Sequence, residues 1–202
     1  MTAPAETPRR ARPDLLSLVL GAISLFFPLF ALVLARPLGP LVVTLALVAV
    51  LALRSLTGFA KSAPAGLTWA ALAAAATLGM FSFINADLAM RLYPVLMTGA
   101  MLFAFAWSLA RPPSMIERFA RMAEPNLPES GVRYTRTVTW VWCVFLVLNG
   151  AVALWTALVA SLETWAIYNG VISYILMGAL LGGEFLVRGF VRAREPAGHN
   201  PG

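Results

Sequence analysis

The chain has 202 residues, of which 60% are apolar and only 12% charged, with a mean hydropathy of +0.80; a soluble domain of this size carries about 25% charged residues. Too few polar side chains exist to cover the apolar ones in water, which excludes an ordinary soluble globule and leaves lipid as the solvent for most of the chain. The net charge of +6 and pI near 10.4 do not point to nucleic acid, because 14 of the 15 basic residues are arginines spread in short segments between apolar runs, which is the footprint of membrane topology.

Residues 1–14 are polar and Pro-rich, carry Arg9, Arg10 and Arg12, and read as a disordered cytoplasmic tail. The first apolar run, Leu15–Ala35, holds no charge and is long enough for the ~20 residues that cross a bilayer core. Val33-Leu34-Ala35 resembles a signal-peptidase site, so cleavage is the rival reading, but the run exceeds the roughly 7–15 residues of a signal core. Leu38–Leu53 lies between Arg36 and Arg54 and opens with Pro40, which suits a first helical turn. It reaches only about 24 Å by helical rise, so it needs snorkelling arginines, local thinning or a re-entrant path. Leu67–Ala86 carries small residues at four-residue spacing, Ala71, Ala75 and Gly79, which permit close helix approach. Leu92–Leu109 follows the polar turn Asn85-Ala86-Asp87, and Val138–Ala160 and Ala166–Val187 form a last pair. Residues 189–202 read as a second cytoplasmic tail. The predicted fold is all-α, a polytopic integral membrane bundle of about six transmembrane helices.

Between the fourth and fifth spans lies the one sizeable loop, Ala110–Thr137. Its Ser114-Met115-Ile116-Glu117 matches a capping box, which predicts a short helix over 114–122. Met115, Ile116, Phe119 and Met122 share one face, with Glu117, Arg118 and Arg121 largely elsewhere, so the helix should lie amphipathically at the interface. The stretch from Pro125 through Pro128 to Gly131 reads as a turn-rich hinge.

Orientation follows from the basic residues. With the N-terminus inside, 13 of 15 fall on the cytoplasmic side and only Arg36 and Arg91 outside, so both termini and the long loop face the cytoplasm. Trp69, Trp107, Trp140, Trp142 and Trp165 lie near predicted span ends, as an aromatic belt requires.

No GxSxG, HExxH, Walker loop or GxGxxG occurs. The single Cys143 and single His199 give no metal-ligand cluster, and neither a metal nor a cofactor is expected. The chemistry-bearing residues are instead arginines with a few carboxylates. Arg111, Arg118, Arg121, Arg133 and Arg136 of the loop, with Tyr134, are candidates for binding an anionic headgroup or an acidic partner, against the plain alternative of positive-inside bias. Glu184 and Arg188 stand four apart on the last span and can pair with each other or join the same site. Asn149 lies near the middle of the fifth span, as glue between helices or as the lining of a polar path. Asn85, Asp87 and Arg91 form a candidate periplasmic cluster or a simple loop ion pair. Gly178 and Gly182 give a GxxxG spacing that serves internal packing or a homo-oligomer.

Leu92-Tyr93-Pro94-Val95-Leu96, Pro113–Arg121, Arg133-Tyr134-Thr135-Arg136, Trp142-Cys143, Asn149-Gly150, Tyr168-Asn169-Gly170 and Gly183–Arg188 together resemble an uncharacterised family of bacterial inner-membrane proteins. Its members are often encoded in fatty-acid-synthase-like gene clusters for aryl-polyene-type lipids, beside ketosynthases, acyl carrier proteins and acyltransferases. The resemblance covers Leu92 to Arg188. It implies the inner membrane and an acyl-lipid pathway, with acyl carrier protein or acyltransferase-type partners, and it assigns no reaction and no catalytic residue.

The leading expectation is a non-enzymatic inner-membrane accessory protein, a scaffold or lipid-handling subunit that acts through its basic loop. A transferase using Glu184, Glu117 and Tyr134 as acid–base groups is one alternative. A small oligomeric transporter or flippase is the other, though no inverted repeat supports it.

Overall fold

The computed structural model describes residues 15–56 and 75–194, with side chains except at 16–18, 54–56 and 188–194. The tail 1–14, most of the tail 189–202, the start of the predicted third span at 67–74 and the side chain of Arg188 lie outside the described residues. Among the described residues every regular element is helical. In chain order they are α1 (Leu15–Leu25), α2 (Phe27–Leu38), α3 (Pro40–Leu56), α4 (residues 75–82), α5 (Ala86–Ala110), α6 (Met115–Ala123), α7 (Glu129–Val159), α8 (Leu162–Ile167), a π-helical turn (Tyr168–Ile172) and α9 (Ser173–Arg194).

Among the described residues, three stretches are long and apolar enough to cross a membrane: α5, α7, and the run Leu162–Val187 from α8 into α9. A fourth results if α1 and α2 are taken as one bent span. In α3 the apolar part, Pro40–Leu53, is shorter, and even the whole helix, with 17 residues, rises only about 25 Å, under the ~30 Å hydrocarbon core.

The expected first span, Leu15–Ala35, is not one straight helix. It breaks at Phe26 and bends by 75°, for a reason found in the backbone. Pro28 has no N–H, so the carbonyl of Ser24, four residues earlier, loses its helical donor. The Leu29 N–H donates to Phe26 O at 3.0 Å and so leaves the carbonyl of Leu25 free as well. Unpaired carbonyls in lipid cost several kcal/mol each, and distant tyrosines supply the missing donors. Tyr93 Oη donates to Ser24 O at 3.2 Å, and Tyr174 Oη donates to Leu25 O. The break is thus held from α5 and α9.

Other boundaries shift for local reasons. Asn85 caps α5 by accepting the Leu88 N–H at 3.0 Å, so α5 begins at Ala86 and the expected turn Asn85-Ala86-Asp87 becomes a helix start. The described end of the third span, α4, stops at residue 82 rather than 86. Beyond Pro128 the chain is already helical at Glu129, so α7 begins nine residues before Val138 and carries Arg133 through Arg136 on its first turns. The hinge proposed to run to Gly131 is confined to the residues before Glu129.

Helices α5 and α7 pack along one another, and a Cβ at Gly150 would come within 3.2 Å of Thr98, which is why the α5–α7 pair can approach so closely. Two apolar clusters result. One gathers Phe27, Ala31, Met90, Tyr93, Ala157 and Trp165 from α2, α5, α7 and α8, with Phe27 edge-on to Tyr93 at 5.2 Å. The other gathers Phe105, Leu109, Val138, Trp142 and Leu146 at the α5–α7 end that carries α6.

Candidate functional site

At the arginine-rich end, α6 is fastened to the α5–α7 pair by its N-terminal donors. Met115 N–H donates to Ser108 Oγ at 2.8 Å, and Ile116 N–H donates to Thr139 Oγ1 at 3.4 Å. Glu117 accepts the Ser114 N–H at 3.3 Å, the carboxylate arm of the capping box. Met115 and Ile116 turn to the bundle, whereas Phe119 and Met122 are exposed and fit an interfacial position. Glu117 corrects the expected pattern. It does not sit with the outward charges but is buried beside Ala120, its cost met by Arg121, whose Nε donates to Glu117 Oε1 at 2.9 Å.

That pairing changes which arginines remain available. Arg121 is held by Glu117 and by Pro125 O, to which its NH1 donates at 3.2 Å. Arg118 Nε donates to Pro113 O at 2.9 Å. Arg111 lies over the Trp107 ring, its guanidinium carbon 4.4 Å from the centroid, a cation–π contact. Arg133 and Arg136, three residues apart on the first turns of α7, are exposed, and among the described residues neither has an acidic partner. The five loop arginines therefore resolve into three engaged with their own chain and two left for an anion.

Tyr134 Oη donates to the backbone Glu184 O at 3.4 Å and so links α7 to α9. Glu184 itself is half-buried, and among the described residues no loop arginine lies within salt-bridge distance of it.

At the opposite end the charges fasten helices together. Arg91 pairs with Asp87 at 2.8 Å, and its NH1 donates to Ala160 O at 2.7 Å, at the C-terminus of α7 where a cation is favoured. Trp165 Nε1 donates to Arg91 O at 3.0 Å, and Arg36 of α2 pairs with Glu163 of α8 at 2.8 Å. With Asn85 as the α5 cap, this cluster joins α2, α5, α7 and α8, and every cation in it is already paired.

Inside the bundle, Asn149 accepts from Tyr168 Oη at 3.1 Å, and Asn169 Nδ2 donates to Thr156 Oγ1 at 3.1 Å and to Trp165 O at 2.9 Å. The π-helical turn brings both Tyr168 and Asn169 to α7, which is the helix-gluing use of polar groups. Sequence reasoning named Asn149 but not its partners, because a π-turn has no residue signature at this length.

Beside the two available arginines lies a groove of about 530 Å³ between α5 and α7. Arg136 stands at one end, and Trp140, Val144 and Leu148 continue it along α7, facing Leu102, Ala106 and Leu109 of α5. Trp140, Val144 and Leu148 are each more than half exposed. Among the described lining residues Arg136 is the only charged one.

Comparison with protein-family models, with curated proteins and with solved structures finds no match.

Proposed function

We propose that the chain is a non-enzymatic, lipid-handling accessory protein of a bacterial inner membrane that engages anionic headgroups through the basic end of its bundle. The observation that carries this reading is the pair Arg133 and Arg136, exposed at the start of a membrane-length helix with no acidic partner among the described residues. Guanidinium groups at that level match phosphate oxygens bidentately. Phe119 and Met122 of α6, exposed at the same end, add an apolar edge suited to the headgroup boundary. The resemblance over Leu92–Arg188 supports an acyl-lipid pathway with acyl carrier protein or acyltransferase-type partners. The transferase alternative is weakened because Glu117, one of its acid–base groups, is committed to Arg121 and Ser114.

The purified protein should retain anionic over zwitterionic phospholipid from a mixed bilayer, and the charge reversal Arg133→Glu with Arg136→Glu should abolish that preference. Equal retention of both lipids by the wild type would sink the reading.

The proposed topology has six spans, with α3 and the segment containing α4 added to the four read from length and composition, and both termini and α6 on the cytoplasmic side. The excess of arginine there supports it. Reporter fusions at Glu124 and Gly202 should be active only when the reporter works in the cytoplasm; periplasmic activity at either would overturn the orientation.

A further inference from the structure

The groove between α5 and α7 is matched to a particular kind of ligand. Arg136, Trp140, Val144 and Leu148 follow one another at four-residue steps, so they form a single stripe along α7. From Arg136 to Leu148 the stripe rises about 18 Å, close to the ~15 Å of hydrocarbon that one leaflet offers. Its length therefore matches one leaflet, with the charged residue at one end and an apolar floor beyond it. Trp140 sits one turn inside Arg136, a depth at which an indole is favoured. The guanidinium has no acidic partner among the described residues, and the exposed valine and leucine side chains need a cover that is apolar along its whole length.

We propose that this groove seats one acyl chain of an anionic phospholipid from the surrounding bilayer, with Arg136 on the lipid phosphate. The inference rests on the headgroup reading above and deepens it, because it makes a whole membrane lipid the ligand and gives Arg136 a role that Arg133 does not share. Arg136 lines the groove, whereas Arg133, nearly one turn further toward the α7 N-terminus, does not. The chain contributes contact area that any phospholipid offers, and either headgroup's phosphate accepts a charge-assisted hydrogen bond. Selectivity comes from net charge, because the choline ammonium of phosphatidylcholine offsets its own phosphate whereas an anionic headgroup carries no such cation.

The test is native mass spectrometry of the full chain in detergent, titrated separately with phosphatidylglycerol and phosphatidylcholine of identical chains. One phosphatidylglycerol should bind, about tenfold more tightly than phosphatidylcholine. Arg136→Gln should remove that preference and remove more of it than Arg133→Gln does. Val144→Trp, or Leu148→Trp at the deep end, should fill the groove and weaken both lipids, while Leu158→Trp, exposed on the same helix outside the groove, should not. Glycerol 3-phosphate, the headgroup chemistry without chains, should not displace the lipid.

If the preference is present but Arg133→Gln and Arg136→Gln reduce it equally, or the groove-filling variants bind as the wild type does, the groove proposal is overturned and the headgroup reading stands. Displacement by glycerol 3-phosphate likewise overturns the seat for the chain. If phosphatidylglycerol and phosphatidylcholine bind equally to the wild type, both readings fall.

Discussion

Gly170→Val should destabilise the protein by about 1–3 kcal/mol, the usual cost of forcing extra methyl groups into a packed site, while Gly178→Val on the same membrane segment should change little. At Gly170 an added Cβ would lie 2.8 Å from both Cγ and Cδ2 of Leu29 and 3.5 Å from the Leu29 backbone nitrogen. Cγ is not the free end of the leucine side chain, so rotation alone does not clear it. Leu29 belongs to the first turn of α2, whose position is set by the break at Phe26. Enlarging residue 170 therefore presses the π-helical turn away from that break, and with it Tyr174, which donates to Leu25 O. At Gly178 a Cβ would meet nothing within 4 Å. Thermal or denaturant unfolding in detergent compares the two directly. Equal losses would mean that valine acts through the helix backbone itself, and that the contact with Leu29 is not what holds α2.

The contrast between these glycines also shows what the sequence made visible. Gly178 and Gly182 carry a recognisable GxxxG spacing, yet among the described atoms nothing approaches either. Gly170 has no spacing motif, and the close approach it permits comes from a residue 141 positions earlier in the chain. Local signals transferred well: the capping box located α6, and the four-residue spacing of Asp87 and Arg91 matched an ion pair of 2.8 Å. Apolar run length identified α5, α7 and the α8–α9 run as membrane-length segments. Long-range polar matches did not transfer. Glu117 looked like an outward charge because the face it occupies is decided by Thr139 and Ser108, which anchor the start of α6. The five loop arginines looked equivalent because a count of basic residues cannot distinguish a guanidinium stacked on Trp107 from one standing at the end of a groove.

The break at Phe26 was the largest feature hidden in the sequence, and it permits a test in which two variants that each do harm should partly cancel. Tyr93→Phe keeps the ring against Phe27 but removes the hydroxyl that donates to Ser24 O, in a buried site. Leaving a buried carbonyl without a donor costs about 1–3 kcal/mol. Pro28→Ala should also cost stability, because Pro28 is fully buried and the smaller side chain leaves space behind. It restores, however, an N–H at the one position from which a continuous helix would serve Ser24 O. In the double variant that N–H can replace the lost hydroxyl, so the combined loss should be smaller than the sum of the single losses, with a coupling of about 1 kcal/mol. Strict additivity would show that Tyr93 and Pro28 do not act on the same carbonyl. The break would then owe its angle to the packing of α1 against α3 rather than to the proline and the tyrosine that answers it.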